Sequence, residues 1–142
     1  MASVKQLLQG KGHDVWSIGP DMSVYEAMAM MAREEVGALV VLEGEKLVGM
    51  LSERDYARKV VLQGRSSRDT KIRDIMTTRV AFARPEQSVE DCMAMMTEKR
   101  VRHLPVMDGE KLLGVISIGD LVKSIIEEQQ HVIKQLEQYI SR

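Results

Sequence analysis

The sequence predicts an α+β fold built from two copies of one β-α-β-β-α unit. The main observation is an internal repeat, because residues 15–56 and 80–121 align without a gap at an offset of 65 residues. Each copy also carries one helical pattern between short β-rich runs. A repeat of this size is expected to bury its apolar face against its twin. A cleft between such twins is a natural place for a ligand.

Short β-rich runs place the strands of each copy. Residues 1–10 are weakly amphipathic and predict one or two helical turns ending at Gly10. Residues 15–18 follow as a short strand. Residues 37–42 and 47–51 are joined by a Glu-Gly turn and predict a hairpin, and the second copy makes the same turn with the stronger dipeptide Asp-Gly.

Capping residues place the first helix of each copy. Ser23 is a favoured N-cap, and Glu26 three residues later is expected to complete a capping box, which Ser88 and Asp91 repeat in weaker form. An apolar stripe at helical spacing follows in both copies: Val24, Ala27, Met28 and Met31, then Val89, Cys92, Met93 and Met96. Thioether side chains on one helical face are typical of core packing rather than of a metal site or a promiscuous groove.

The remaining elements are a connector and a second helix in each copy. The second helices begin at about Arg54 and about Gly119, with a loop at residues 63–70 and a short helical entry at residues 71–77. The last helix is predicted from about Asp120 to about Tyr139, and its apolar stripe continues beyond the repeat. Because an isolated helix gains little stability without packing, we expect this stripe to dock on the chain itself or, by preference, on a second copy in a homodimer. The predicted divisions are residues 10–70 for the first repeat, 71–128 for the second repeat and 129–142 for a C-terminal helical extension.

Composition excludes several classes of function. The 142 residues carry a net charge of −1, so there is no electrostatic reason to bind nucleic acid or an anionic membrane. Basic residues crowd the middle of the chain among acidic ones, which favours a solvated connector over a nucleic-acid patch and leaves local anion binding open: Arg65, Arg68, Lys71, Arg73, Arg79 and Arg84.

The single cysteine and the absence of long apolar runs indicate the compartment. Cys92 has no partner for an intrachain disulfide, and its place on the apolar helix face indicates a small core residue rather than a nucleophile. No signal peptide pattern and no run of about 20 apolar residues is present. We therefore expect a cytoplasmic protein.

A Ser-x-x-Asp motif closes the hairpin of each copy. Ser52 and Asp55 return as Ser117 and Asp120, each pair at the end of a strand and the start of a helix. One interpretation is a helix cap, in which Ser caps the helix and Asp complements its dipole. The other adds a ligand, because free N–H groups at a helix N-terminus suit phosphate and an ionised Asp can accept both hydroxyls of a ribose. The two interpretations are compatible.

The copies differ at positions close to this motif. Residues 37–38, Gly-Ala, become Arg102 and His103, and residues 53–54, Glu-Arg, become Ile-Gly. Arg102 and His103 are candidates for binding phosphate, and exposure without a ligand explains them equally well. No metal spacing, no Ser–His–Asp or Cys–His arrangement and no Gly-rich phosphate loop is visible.

At this point the chain resembles a known family, the tandem pair of CBS domains (the cystathionine-β-synthase motif), and especially the short stand-alone bacterial proteins of that kind. The resemblance covers about residues 10–127. The matching residues are Pro20, Ser23, Val24, Ala27, Met28, Met31, 37–41 and 47–55 in the first copy, and Pro85, Ser88, Val89, 102–106 and 112–120 in the second.

The resemblance implies a pseudo-twofold pair, or Bateman module, with two clefts for adenosine-containing ligands such as AMP, ADP, ATP, NAD or S-adenosylmethionine. It also implies disc-like dimers of such pairs. In the first implied cleft Asp55 holds the ribose hydroxyls, together with Ser52, Arg54, Ala81, Met76, Thr77, Thr78 and Val101. In the second Asp120 does so, together with Ser117, Gly119, Trp16, Ser17, Val36 and Gly37. Arg102 and His103 would lie between the clefts and reach phosphate.

The implied clefts are not equivalent. Arg54 adds a charge that Gly119 lacks, and Trp16 in one copy stands where Ala81 stands in the other. If Trp16 is a core residue, the second difference disappears.

The sequence thus predicts a non-catalytic regulatory module that binds an adenosine ligand and signals to a partner protein. The alternative is a structural homodimeric adaptor with vestigial clefts. An enzyme is disfavoured, because no nucleophile, metal set or acid–base pair is visible.

Overall fold

The computed structural model describes residues 2–141, which divide into two compact units. The repeat-one unit comprises residues 15–80, and the repeat-two unit comprises residues 2–14 together with residues 81–141. The helices are α1 (Val4–Lys11), α2 (Val24–Glu34), α3 (Glu53–Tyr56), α4 (Val89–Lys99) and α5 (Ile118–Ile140). The strands are β1 (Ser17–Ile18), β2 (Ala38–Glu43), β3 (Lys46–Ser52), β4 (His103–Asp108) and β5 (Lys111–Ser117). The predicted α+β class and the repeated order of elements are confirmed.

The repeat-one unit is a three-stranded sheet covered by helices. Strand β1 runs parallel to β2, and β2 pairs with β3 in an antiparallel hairpin. Helix α2 buries its apolar stripe against this sheet, as the spacing predicts. The core side chains of the unit are Ile18, Val24, Ala27, Met31, Leu39, Val41, Leu51, Val60, Ile72 and Ile75.

The repeat-two unit repeats this arrangement with a shorter sheet. Strands β4 and β5 form an antiparallel hairpin, and Ala83 makes a single parallel bridge to Val106. The strand expected near Ala81 is therefore reduced to one bridge. Its core is formed by Val4, Leu8, Ala83, Val89, Cys92, Met96, Leu104, Val106, Ile116 and Leu121.

The segment before each repeat packs in the unit of the other repeat. In α1, the Val4 N–H donates to the Gln87 carbonyl at 2.8 Å, while in the connector the Ile72 N–H donates to the Met22 carbonyl at 3.0 Å. Gln87 and Met22 are 65 positions apart, like the repeats themselves, but Val4 and Ile72 are 68 positions apart. This change of offset explains why the gapless alignment does not reveal that α1 and the connector are structural counterparts.

Two glycines allow these segments to approach the hairpins closely. A Cβ atom on Gly49 would lie 2.7 Å from the sulfur of Met76 and 2.9 Å from the Thr77 carbonyl oxygen. A Cβ atom on Gly114 would lie 2.9 Å from Leu8 Cδ2. All three distances are shorter than real Cβ contacts, so each glycine makes room for the segment that closes its unit.

The helix caps differ in detail from the prediction. Helix α1 continues through Gly10 to Lys11, and Gly12 with a φ of 102° ends it. The Ser23 hydroxyl caps α2, but the Glu26 carboxylate accepts from that hydroxyl at 3.2 Å instead of from the Ser23 N–H. In contrast, Ser88 and Asp91, the predicted weaker pair, form a complete capping box. The shorter Asp side chain is the one that reaches back to the backbone here.

The connector between the repeats contains one 3₁₀ turn, Ile72–Asp74, within the predicted entry of residues 71–77. Several of its basic residues are engaged within the unit, and Arg73 contacts both Asp21 (3.1 Å) and Glu43 (2.9 Å). Arg68 lies 3.9 Å from the centre of the Tyr25 ring. These contacts agree with a solvated connector. Across the described part of the chain, we find no helix with the length and apolarity that a membrane crossing requires.

Candidate functional site at two helix N-termini

The Ser-x-x-Asp motif of the first repeat forms a capping box at the start of α3. The Ser52 hydroxyl accepts from the Asp55 N–H at 3.2 Å, and Asp55 Oδ2 accepts from the Ser52 N–H at 3.0 Å. The other oxygen, Oδ1, lies 3.4 Å from the Thr77 hydroxyl and 3.2 Å from Lys59 Nζ. The side chain of Asp55 is 15% exposed. Capping therefore fixes the orientation of this carboxylate.

The same capping box starts α5 in the second repeat. The Ser117 hydroxyl accepts from the Asp120 N–H at 3.2 Å, and Asp120 Oδ2 accepts from the Ser117 N–H at 2.8 Å. Lys11 of α1 also contacts Oδ2, at 2.6 Å. Burial by itself raises the pKa of Asp120, but the hydrogen bonds from Lys11 and Ser117 and the charge of Lys11 outweigh it and hold the pKa below its ordinary value. The carboxylate is thus ionised over the neutral pH range.

The positions that differ between the copies lie at the same end of each hairpin. The Arg102 carbonyl accepts from the Ile118 N–H at 2.9 Å, and His103 is paired with Ser117 in the β4–β5 register. In the first repeat, the Gly37 carbonyl accepts from the Glu53 N–H at 3.1 Å. Arg102 is exposed and His103 is half-buried. The backbone of the second repeat therefore brings two residues with nitrogen-containing side chains next to the N-terminus of α5, which Ser117 caps.

The other predicted site residues divide between the two units. The repeat-one unit holds Asp55 together with Trp16, Ser17, Val36, Gly37, Ser52, Arg54, Met76, Thr77 and Thr78. The repeat-two unit holds Asp120 together with Ala81, Val101, Arg102, His103, Ser117 and Gly119. Each predicted cleft draws on residues of both units, and its composition stays a prediction. Trp16 is 44% exposed, so it is not a core residue and the contrast with Ala81 persists.

Two lysines at the carboxylates were absent from the sequence prediction. Lys59 follows Asp55 by four residues, a spacing that places both on one helix face and would have allowed its detection. Lys11 precedes Asp120 by 109 residues, and no local pattern connects them.

The geometry gives little support for a cysteine nucleophile or a metal site among the described residues. Cys92 is fully buried, and burial followed by the charge of Asp91 raises its pKa to about 11, so its thiol is a core group rather than an activated nucleophile. Within residues 2–141, no three His, Cys, Asp or Glu side chains gather in a way that could hold a metal ion.

Two tandem units, each with a hairpin leading into a capped helix, define the class of the protein, a pair of CBS domains. The family model of the CBS domain matches residues 11–62 and again residues 72–127. The chain therefore belongs to the CBS-domain family, whose paired members are regulatory modules.

Similar proteins come from plants and bacteria. The chain is 40% identical over 140 residues to the mitochondrial CBS domain-containing protein CBSX3 of Arabidopsis thaliana, covering 93% of this chain and 68% of that protein. A structure of a CBS-domain protein of Burkholderia ambifaria MC40-6, described in connection with signal transduction, is 50% identical with a TM-score of 0.87, covering 90% of this chain and 96% of that one.

One more distant structure contains ligands. The CBS domain pair of protein MJ0100, in complex with 5′-methylthioadenosine and S-adenosyl-L-methionine, has a TM-score of 0.79 at 22% identity, covering 90% of this chain and 98% of that one. At this identity the likeness concerns the fold.

Proposed function

We propose that the chain is a non-catalytic regulatory module in which Asp55 and Asp120 each bind the ribose of an adenosine-containing ligand. The observation that carries the proposal is the repeated geometry of these two carboxylates. Each is held by a capping box at a helix N-terminus and is partly shielded from water. The ligand classes that fit are AMP, ADP, ATP, NAD and S-adenosylmethionine. The adenosine ligands bound by MJ0100 support this choice.

The chemistry of the site follows from the cap. A ribose presents two adjacent hydroxyl donors, and an ionised carboxylate offers several acceptor positions beyond those that the cap occupies. Fixing the carboxylate beforehand reduces the entropy that binding must overcome. In the second repeat, Arg102 and His103 lie next to the same helix N-terminus and are suited to phosphate groups. In the first repeat, Arg54 supplies the positive charge on the exposed side of α3.

Regulation requires that the ligand favour one of two conformations of the protein. A ligand shifts such an equilibrium only by its differential affinity for the two states. A separate effector protein, in the cytoplasm, would read the change.

The proposal is tested by calorimetric titration of the full chain with AMP, ATP, NAD and S-adenosylmethionine. We expect at least one of them to bind, and Asp55→Asn and Asp120→Asn each to weaken one site by about tenfold or more, since a hydrogen bond to a charged group contributes about 1.5–3 kcal/mol. Asp69→Asn, which removes an exposed loop carboxylate, is the matched control. Absence of binding by all four at millimolar concentration would overturn the proposal, and unchanged affinity in both site variants would overturn the ribose assignment.

A second proposal concerns assembly, and one observation favours it. The outer face of α5 carries exposed apolar side chains along most of its length: Val122, Ile126, Val132, Ile133, Leu136, Tyr139 and Ile140. We propose that a second copy of the chain covers this face in a homodimer. If the chain forms this dimer but binds none of the adenosine-containing ligands, it is a structural adaptor with vestigial clefts.

A further inference from the structure

The two carboxylates differ in what lies against them. In the first repeat, Thr77 exchanges two backbone hydrogen bonds with Met50 of β3, both at 2.9 Å. The counterpart of Met50 in β5 is Val115. At Val115 the contact comes from a side chain and not from the backbone, since Lys11 Nζ donates to the Val115 carbonyl at 2.5 Å. An ammonium group thus contacts the hairpin of the repeat-two unit at the position where the backbone of Thr77 forms an isolated bridge in the repeat-one unit.

The same ammonium group reaches the ribose-binding candidate of its unit. Lys11 Nζ lies 2.6 Å from Asp120 Oδ2, the oxygen that also accepts from the Ser117 N–H. In the first repeat, Lys59 approaches Asp55 at the other oxygen, Oδ1, at 3.2 Å, and it lies in the π-helical turn Ala57–Val61 that directly follows α3. Only in the second repeat, among the ion pairs of the described residues, is the candidate carboxylate joined to a distant segment of the chain.

Lys11 lies at the end of its helix, apart from the side chains that anchor the helix in the core. It is the last residue of α1 and lies between Gly10 and Gly12, the latter with a φ of 102°. The rest of α1 is held independently by Val4 and Leu8, which are both buried in the core of the repeat-two unit. The ion pair itself is accessible to solvent, with side chains 36% exposed for Lys11 and 24% for Asp120.

We propose that Lys11 competes with the ligand for Asp120, so that filling the second-repeat site releases the C-terminal end of α1. This inference rests on the proposed function, since it assumes that Asp120 accepts ribose hydroxyls. Lys11 and the Ser117 N–H both occupy Oδ2 of this carboxylate, so a ribose diol that uses both carboxylate oxygens must displace the ammonium group. Lys11 therefore lowers the affinity of this site and couples its occupancy to the last residue of α1, while His13 keeps a separate contact with the Leu113 carbonyl at 2.8 Å.

The first test is calorimetry on the full chain with Asp55→Asn, which leaves the second-repeat site, titrated with AMP, ATP, NAD and S-adenosylmethionine. Adding Lys11→Met keeps the aliphatic stem and removes the charge, and we expect about two- to fivefold tighter binding, the upper part of the range for a partly exposed ion pair. Lys5→Met removes the same charge from the same helix, nearly two turns earlier, and should leave the affinity unchanged. Unchanged or weaker binding with Lys11→Met overturns this inference and leaves the proposed function standing. No binding of any of the four ligands by either protein overturns both.

A second test uses the chain with its wild-type sequence. Trace acetylation of lysines is followed by mass spectrometry with and without saturating AMP. Because displaced Lys11 loses its carboxylate partner, we expect AMP to raise its labelling severalfold while Lys5 stays constant. Asp120→Asn should give high labelling of Lys11 without AMP. Unchanged or lower labelling of Lys11 when AMP is bound overturns the inference.

Discussion

Identical residues in the two repeats have different environments. Asp55 and Asp120 occupy the same position of the motif and form the same capping box. Their second contacts differ, because Thr77 and Lys59 approach one and Lys11 approaches the other. The motif itself, and the capping that it performs, could be predicted from four consecutive residues. The contacts that distinguish the two carboxylates could not, since Lys11 comes from the far end of the sequence.

The lowered pKa of Asp120 predicts a dependence of stability on acid. As the pH falls below about 3.8, the ordinary pKa of Asp, Asp120 becomes protonated in the unfolded chain while it remains ionised in the folded chain. The free energy of unfolding should therefore fall with pH from about 3.8 down through the lower pKa of the folded state, where this contribution is lost. Urea unfolding at a series of pH values measures how the free energy of unfolding changes with pH. Asp120→Asn should flatten this part of the curve and Lys11→Met should reduce it, whereas curves parallel to wild type for both variants would contradict the assignment.

At the scale of elements, α5 extends well past the core that it closes. Leu121 is fully buried, but the exposed apolar side chains continue to the last turn. Lys123 and Glu137 border this stripe on one side and are equidistant from Gln130, so an antiparallel pairing of two copies about Gln130 would bring opposite charges together. With Gln130 at the centre of such a pair, each Lys123 lies level with Glu137 of the other copy.

The dimer is tested by light scattering with size-exclusion chromatography. Each buried Ile or Leu side chain contributes about 1.5–3 kcal/mol, so Ile133→Ser with Leu136→Ser should weaken the dimer at least tenfold while the circular dichroism of the folded chain persists. Gln138→Ser, on the side of the helix away from the stripe, is the control. Lys123→Glu should weaken the dimer and the added change Glu137→Lys should restore it. A monomeric wild-type chain, or a dimer indifferent to the paired serine substitutions, would rule this interface out.

At the scale of the whole molecule, the order of segments along the chain differs from their grouping in space. The N-terminal helix α1 completes the core of the second repeat, and the connector with Ile72 completes the core of the first. The predicted boundary after residue 70 follows the alignment, whereas the compact units change over after Asp14 and after Val80. A sequence pattern reports on residues that are close along the chain. The grouping of segments into units depends on contacts between distant parts of the chain, so the pattern did not predict it.

This grouping predicts a remote effect of a substitution in α1. Leu8 is 1% exposed and lies against Gly114, so Leu8→Ala should reduce the free energy of unfolding by about 2–5 kcal/mol. Hydrogen exchange should show the loss of protection in residues 81–121 rather than in residues 15–80, although the mutation precedes both in sequence. Gln9→Ala, on the exposed side of the same helix, should change stability by less than about 0.5 kcal/mol. Equal stability of Leu8→Ala and wild type would contradict this role of α1.

The sequence by itself determined the repeat, through an identity at an offset of 65 residues, and it determined the order of elements, the N-cap serines of α2 and α4 and the hairpins, because these depend on residues within a few positions of one another. It also pointed to Ser52, Asp55, Ser117 and Asp120 as one motif used twice. Only the tertiary structure decided that α1 joins the second repeat and that Lys11 reaches Asp120. The physical reason is that packing and ion pairing depend on distance in space, and the two side chains of that ion pair are separated by 109 residues of chain.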